Sequence, residues 1–213
     1  MKILNLYAGI GGNRKLWGDE HEITAVELNP EIAKIYQDFF PNDKVIVADA
    51  HQYLLEHYKE FDFIWSSPPC PTHSKLRFAQ KKRFAPKYPS MTLYEEILFL
   101  QGYSDNKWVI ENVIGWYKPL ILPIEIGRHY YWSNFDIYKV KENKKQVIGP
   151  SKIIGENSYE FRSSLMGVKI NNFHGYNGDK RTLIANMVEP EMGKYILNCA
   201  LNHSEPIQEG LFG

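Results

Sequence analysis

With 213 residues, the chain is long enough for one domain with a sizeable core, or one domain plus a small appendage. Its 25 basic side chains balance 25 acidic ones, so any positive charge meant for a nucleic acid must be gathered locally. Two distant cysteines, Cys70 and Cys199, make neither a disulfide framework nor a zinc spacing, and no apolar run reaches membrane-spanning length, so a reducing, cytoplasmic setting is expected.

Ile3 to Tyr7 predicts a short apolar strand that opens into Ala8-Gly9-Ile10-Gly11-Gly12. A short helix stopping at Gly18 and a second strand over Glu22 to Leu28 follow. Asn29-Pro30 carries a capping side chain and then a proline at the first helical position. Ile32, Ile35, Tyr36 and Phe39 give that helix one apolar face. A third strand is expected over Lys44 to Ala48, ending at Asp49-Ala50. A fourth over Phe61 to Trp65 ends at Ser66-Ser67-Pro68-Pro69-Cys70. Thr92 and Glu95 fit a capping box ahead of Ile97, Leu98, Phe99 and Leu100. Lys107 to Ile110 reads as a fifth strand ending at Glu111-Asn112. Gly127 to Phe135 holds one or two further strands, 138–158 reads as a polar excursion, and Glu189-Pro190 opens a last helix with Met192, Ile196, Cys199 and Ala200 inward.

Strands alternating with helices predict an α/β, doubly wound, mostly parallel sheet of Rossmann-like type. The glycines, Glu27, Asp49, Cys70 and Glu111 all follow the carboxyl ends of predicted strands, where such sheets bind ligands. Gly9, Gly11 and Gly12 let the backbone approach a ligand, or simply turn tightly. Glu27 can accept ribose hydroxyls and Asp49 an adenine amino group; alternatively each caps a helix or turn. No phosphate-cradling G-x-x-x-x-G-K-[ST] is present, which disfavours an ATP or GTP enzyme.

Pro68 and Pro69 present Cys70 stiffly. No acidic residue lies between Phe63 and Tyr94, whereas Lys75, Arg77, Lys81, Lys82, Arg83 and Lys87 do, so a field favouring the thiolate is expected at Cys70. The alternative for this cysteine is a small buried hydrophobe, the reading adopted for Cys199. Glu111 is either a cap or a partly desolvated acid able to carry a proton.

In order, Tyr7-Ala8-Gly9-Ile10-Gly11-Gly12, Val26-Glu27, Asp49-Ala50, Ser67-Pro68-Pro69-Cys70, Glu111-Asn112-Val113 and Ala185-Asn186-Met187-Val188-Glu189-Pro190 resemble the successive motifs of cytosine-C5 DNA methyltransferases. Arg162, Leu165, Met166 and Gly167 resemble the segment before the last motif. The resemblance implies the fold of S-adenosylmethionine-dependent methyltransferases and that cofactor. Tyr7, Ala8, Gly9, Gly11, Gly12, Glu27, Leu28, Asp49, Ala50, Pro68, Asn186 and Val188 would hold it. It further implies a duplex DNA partner whose cytosine is flipped out, attack by Cys70 at C6, help from Glu111 at N3 and from Arg128 at the base. Pro69, Ser74, Lys75, Arg77, Lys81, Lys82, Arg83, Asn112 and Val113 would line the substrate, with Lys75 to Lys87 as a mobile loop over the DNA backbone.

The sequence departs from the family's pattern at Tyr7, where Phe is usual; at Pro71-Thr72-His73-Ser74 after the nucleophile; at Gly127-Arg128-His129, where only one arginine remains; and in a short recognition region. The last departure suggests relaxed specificity or a second subunit supplying it, and by analogy a phage or mobile-element enzyme in a bacterial cytoplasm, associated with the nucleoid. An RNA cytosine methyltransferase and a catalytically silent nucleic-acid- or cofactor-binding module are the rival readings.

Overall fold

The computed structural model describes residues 1–138 and 159–202. The excursion expected over 138–158 therefore lies outside the described residues from 139 onward.

Among the described residues, seven strands form one sheet in the order β3-β2-β1-β4-β5-β7-β6: β1 (Lys2–Leu6), β2 (Glu22–Glu27), β3 (Lys44–Val47), β4 (Phe63–Ser66), β5 (Lys107–Val113), β6 (Ile124–Ile126) and β7 (His129–Ser133). The first five are parallel, and β7 runs antiparallel to both neighbours. Strand order reverses between β1 and β4, so the crevice of a doubly wound sheet opens where their carboxyl ends part. The alternating, mostly parallel architecture expected from the sequence is the one present.

Both faces of the sheet are covered, which is why its central strands are continuous apolar runs. On one face Leu4, Leu6, Ile64, Ile110 and Trp132 pack against Leu54 of α2 (Ala50–His57) and Leu93, Ile97 and Leu100 of α4 (Thr92–Tyr103). On the other face Ile3, Phe63, Trp65, Val109 and Tyr131 meet Met192, Ile196 and Cys199 of α7 (Pro190–Ala200). Ala25 and Tyr36 join α1 (Pro30–Phe39) to the sheet. Asn29 caps α1 as expected, its Oδ1 accepting from the Ile32 N–H at 2.8 Å, worth about 1 kcal/mol.

The last helix closes on the first loop. Gly193 lies so near Asn13 that a Cβ there would sit 2.2 Å from the Asn13 carbonyl oxygen. Trp17 Nε1 donates to the Gly193 carbonyl at 3.0 Å. Arg14, buried beside this contact, forms a two-pronged pair with Asp43 at 2.9 and 3.1 Å.

Several expected elements differ. The helix before Gly18 is a single 3-10 turn, Asn13–Leu16. β5 does not stop at Ile110, because pairing with β7 carries it to Val113, and Glu111 and Asn112 lie inside it. The capping box at Thr92 is absent: Met91 is the cap residue and makes no side-chain cap bond, while the Thr92 hydroxyl is engaged by Ser90. Part of the expected loop over 75–87 is helical, α3 (Lys75–Ala79). Two short helices, α5 (Tyr159–Leu165) and α6 (Lys180–Ala185), were not anticipated.

Candidate active site

The glycine loop leaves β1 at Tyr7, which adopts φ +55°, and turns through Gly9 (φ +55°) and Gly11 (φ +82°). These are left-handed conformations that glycine adopts without penalty. A Cβ on Gly9 would meet nothing within 4 Å, so this is the open side of the loop. Gly12 faces the opposite way, where a Cβ would fall 2.5 Å from the Val188 carbonyl oxygen. The loop and the Asn186-Met187-Val188 segment, far apart in sequence, are therefore in contact.

Glu27 ends β2 and holds two backbone donors, Gly9 N–H at 3.0 Å and Asn29 N–H at 2.9 Å. Asp49 caps α2 through the Gln52 N–H at 2.9 Å. The capping alternative is present at both positions: each carboxylate orients the chain with part of its acceptor capacity and has lone pairs beyond those bonds. Leu28 is largely exposed and Ala50 buried beside them. The open side of Gly9 and the two acceptors Glu27 and Asp49 at successive strand ends fit an adenosine-bearing cofactor.

Across the crevice, β4 leads into Pro68, Pro69 and Cys70. Ser66, the last residue of β4, pairs in register with Ile110, so the chain leaves β4 level with Glu111 and Asn112 of the longer β5. Asn112 fixes the turn: its buried side-chain amide donates to the Pro68 carbonyl at 2.9 Å. That brings Cys70 and Glu111 close enough for the Glu111 charge to act on the thiol. Burial first, and then Glu111, push the Cys70 thiol above its ordinary pKa. This reverses the field expected from the sequence. The lysines and arginines of the following segment reach solvent, so the nearest formal charge that acts on the sulfur is negative.

Glu111 is buried and faces His129, whose Nε2 lies 3.6 Å from Glu111 Oε1. The sequence reading gave His129 no role. The available signal was the alternation of β7, which puts His129 and Tyr131 on one face, with Tyr131 directly opposite Glu111. Arg128 stands at the β6–β7 turn and lines a cleft with Arg162, Met187 and Glu189.

The segment after Cys70 is folded against the end of β5. Trp116 N–H donates to the His73 carbonyl at 3.0 Å, Trp116 Nε1 to the Thr72 carbonyl at 3.1 Å, and Ser74 bridges Gly115. His73 Nδ1 lies 2.6 Å from the Tyr117 hydroxyl. Phe78 stacks on Trp116 with ring centres 4.5 Å apart. Arg77 covers the Phe84 ring and Lys81 the Phe78 ring. Lys75, Lys81, Lys82 and Arg83 are exposed, making a basic, aromatic rim after Cys70 rather than a bare loop.

A family model described as C-5 cytosine-specific DNA methylase matches residues 1–119. The structure is similar to that of a methyltransferase from Entamoeba histolytica, EhMeth, at 13% identity over 96% of this chain and 99% of that one, with a TM-score of 0.55. It is also similar to a protein described as a DNA modification methyltransferase encoded within a prophage of E. coli, at 14% identity over 95% and 99% of the two chains, with a TM-score of 0.57. At such identities these two likenesses speak to the fold. No curated protein matches the sequence.

Proposed function

Since the chain belongs to the C-5 cytosine-specific DNA methylase family, we propose that it methylates C5 of a cytosine in DNA, with S-adenosylmethionine as donor and Cys70 as covalent nucleophile. The observation that supports this reading is the Asn112–Pro68 bond, which ties the segment leading to Cys70 to the part of β5 that carries Glu111, beside the crevice that the glycine loop borders. When bound, the cofactor supplies an electrophilic methyl group on a sulfonium. The Gly9 to Gly12 loop and Asn186 to Val188 would seat its methionine end, Glu27 its ribose and Asp49 its adenine.

The protein's part follows from chemistry. C5 of cytosine is a poor nucleophile. Addition of the Cys70 thiolate to C6, with a proton held at N3 by Glu111, turns C5 into an enamine carbon able to take the methyl group. Removal of the C5 proton then expels the Cys70 thiolate and restores the aromatic ring. Because the thiol is raised, its ionisation is a cost that the assembled complex must offset. Arg128 would approach the base from the cleft it shares with Arg162. The base must leave its stack to reach Cys70. The basic rim from Lys75 to Arg83 suits phosphate contacts that position the strand. Pro69, Ser74, Asn112 and Val113 would border the base itself. The chain is read as a single catalytic domain with a reduced recognition segment. The second subunit suggested by that segment's shortness gains no support and is not carried forward.

A duplex carrying 5-fluorocytosine tests the proposal, because fluorine at C5 cannot leave as a cation and the adduct is trapped. An adduct that forms with wild type and S-adenosylmethionine, and is lost in Cys70→Ala, is the expected result. Adduct formation on tRNA and not on duplex DNA would move the substrate to RNA. No adduct on either would favour a silent binding module.

A further inference from the structure

The inward row of α4 is apolar, Leu93, Tyr94, Ile97 and Leu100, except at Glu96, whose exposure is 0%. A carboxyl group in such a row stands in for a leucine and is costly to bury without partners. Glu96 has three. Oε1 accepts from the Tyr7 hydroxyl at 2.6 Å and lies 3.1 Å from His51 Nδ1, and Oε2 accepts from the Ser66 hydroxyl at 2.6 Å.

These partners come from three different strand ends. Tyr7 leaves β1 and immediately precedes Ala8 and Gly9. His51 follows Asp49 and Ala50 at the head of α2, beyond β3. Ser66 closes β4, just before Pro68-Pro69-Cys70, and is the register partner of Leu6. Each is thus within a few residues of a group proposed above to touch the cofactor, or to follow it in the crevice. One carboxyl at the back of the crevice fixes the spacing of all three.

We infer that Glu96 is the positioning residue of the cofactor cleft, and that the Tyr7 hydroxyl is its link to the glycine loop. This rests on the cofactor reading above. It gives the tyrosine at position 7 a reason to carry its hydroxyl. Burial and Glu96 push the Tyr7 phenol far above its ordinary range, so it remains a donor. His51 is raised, chiefly by its bond to Glu96. The charged groups facing it are Glu96 and Glu95 from α4 and Asp49 at the head of its own helix, with the Tyr7 hydroxyl sharing the same Glu96 oxygen. Because the shift is upward, the charged pairing is complete at low pH and is lost as pH rises through the His51 titration.

Calorimetric binding of S-adenosylmethionine to the full chain tests the inference. Tyr7→Phe, which removes one oxygen and keeps the ring, is expected to weaken binding about fivefold, and Glu96→Gln about tenfold or more. The double variant is expected to bind within about twofold of Glu96→Gln alone, since both changes break the same tie. Wild-type affinity is expected to fall as pH rises through the His51 titration, and His51→Gln to remove that dependence. A purely structural carboxyl would lower the melting temperature and leave the pH profile intact. Wild-type binding with Tyr7→Phe and Glu96→Gln both within twofold of it overturns the inference and spares the cofactor reading. If Glu96→Gln fails to fold, Tyr7→Phe decides alone. A wild type that binds no S-adenosylmethionine overturns both.

Discussion

Replacing Asn112 with alanine isolates the step that joins the two strand ends. The Asn112 amide is 2% exposed and donates to the Pro68 carbonyl at 2.9 Å, while its own carbonyl accepts from the Val113 N–H at 3.0 Å. Neither Pro68 nor Pro69 has an N–H, so the segment has few ways to anchor itself. Alanine leaves the Pro68 oxygen buried without its donor. That costs about 2 kcal/mol, and for a chain of this size lowers the melting temperature by roughly 4–8 °C. The larger effect is on chemistry. A Cys70 turn free to shift by about 1 Å is expected to lower the methyl-transfer rate about 100-fold. The glycine loop, Glu27 and Asp49 are untouched, so S-adenosylmethionine affinity should remain within about twofold. Single-turnover methyl transfer, calorimetric cofactor binding and thermal melting on one preparation separate the effects. A variant that melts several degrees lower but transfers methyl groups at the wild-type rate would refute the claim that Asn112 positions the nucleophile. So would a rate loss that merely follows lost cofactor binding.

Alkylation of native protein should report Cys70 alone, because Cys199 is buried; its rate should rise with pH through a midpoint above that of an ordinary thiol, and Glu111→Gln should move that midpoint down by removing the nearby negative charge. Gly12→Ala should weaken cofactor binding and cost about 1–3 kcal/mol, measured by calorimetry and urea denaturation, because the new methyl group would meet the Val188 carbonyl oxygen at 2.5 Å. Lys81, Lys82 and Arg83 changed together to alanine should reduce the slope of log DNA affinity against log salt by up to about 3; an unchanged slope would remove this segment from the phosphate contacts.

Local chemistry made much of the site legible. Pro30 after Asn29 announces a helix start, and Pro68-Pro69 announces a chain leaving the sheet, because each constraint acts within a few residues. Apolar runs marked the parallel strands, since burial on both faces removes the alternation a half-exposed strand would show. What stayed hidden depended on pairings distant in sequence. The extension of β5 through Glu111 and Asn112 is imposed by β7. The burial of Glu96 depends on donors at positions 7, 51 and 66, while in sequence it is merely the second of two adjacent glutamates near a helix start. The field at Cys70 was misjudged for a related reason. Proximity along the chain weighted six basic residues, but long cationic side chains extend into water, where their influence is screened. A carboxylate on the next strand, buried beside the sulfur, acts through a medium that screens it far less. The sign of a site's field is therefore set by which charge is buried next to it rather than by which charges are numerous nearby. For Cys70, burial and the Glu111 carboxylate both act against forming the thiolate.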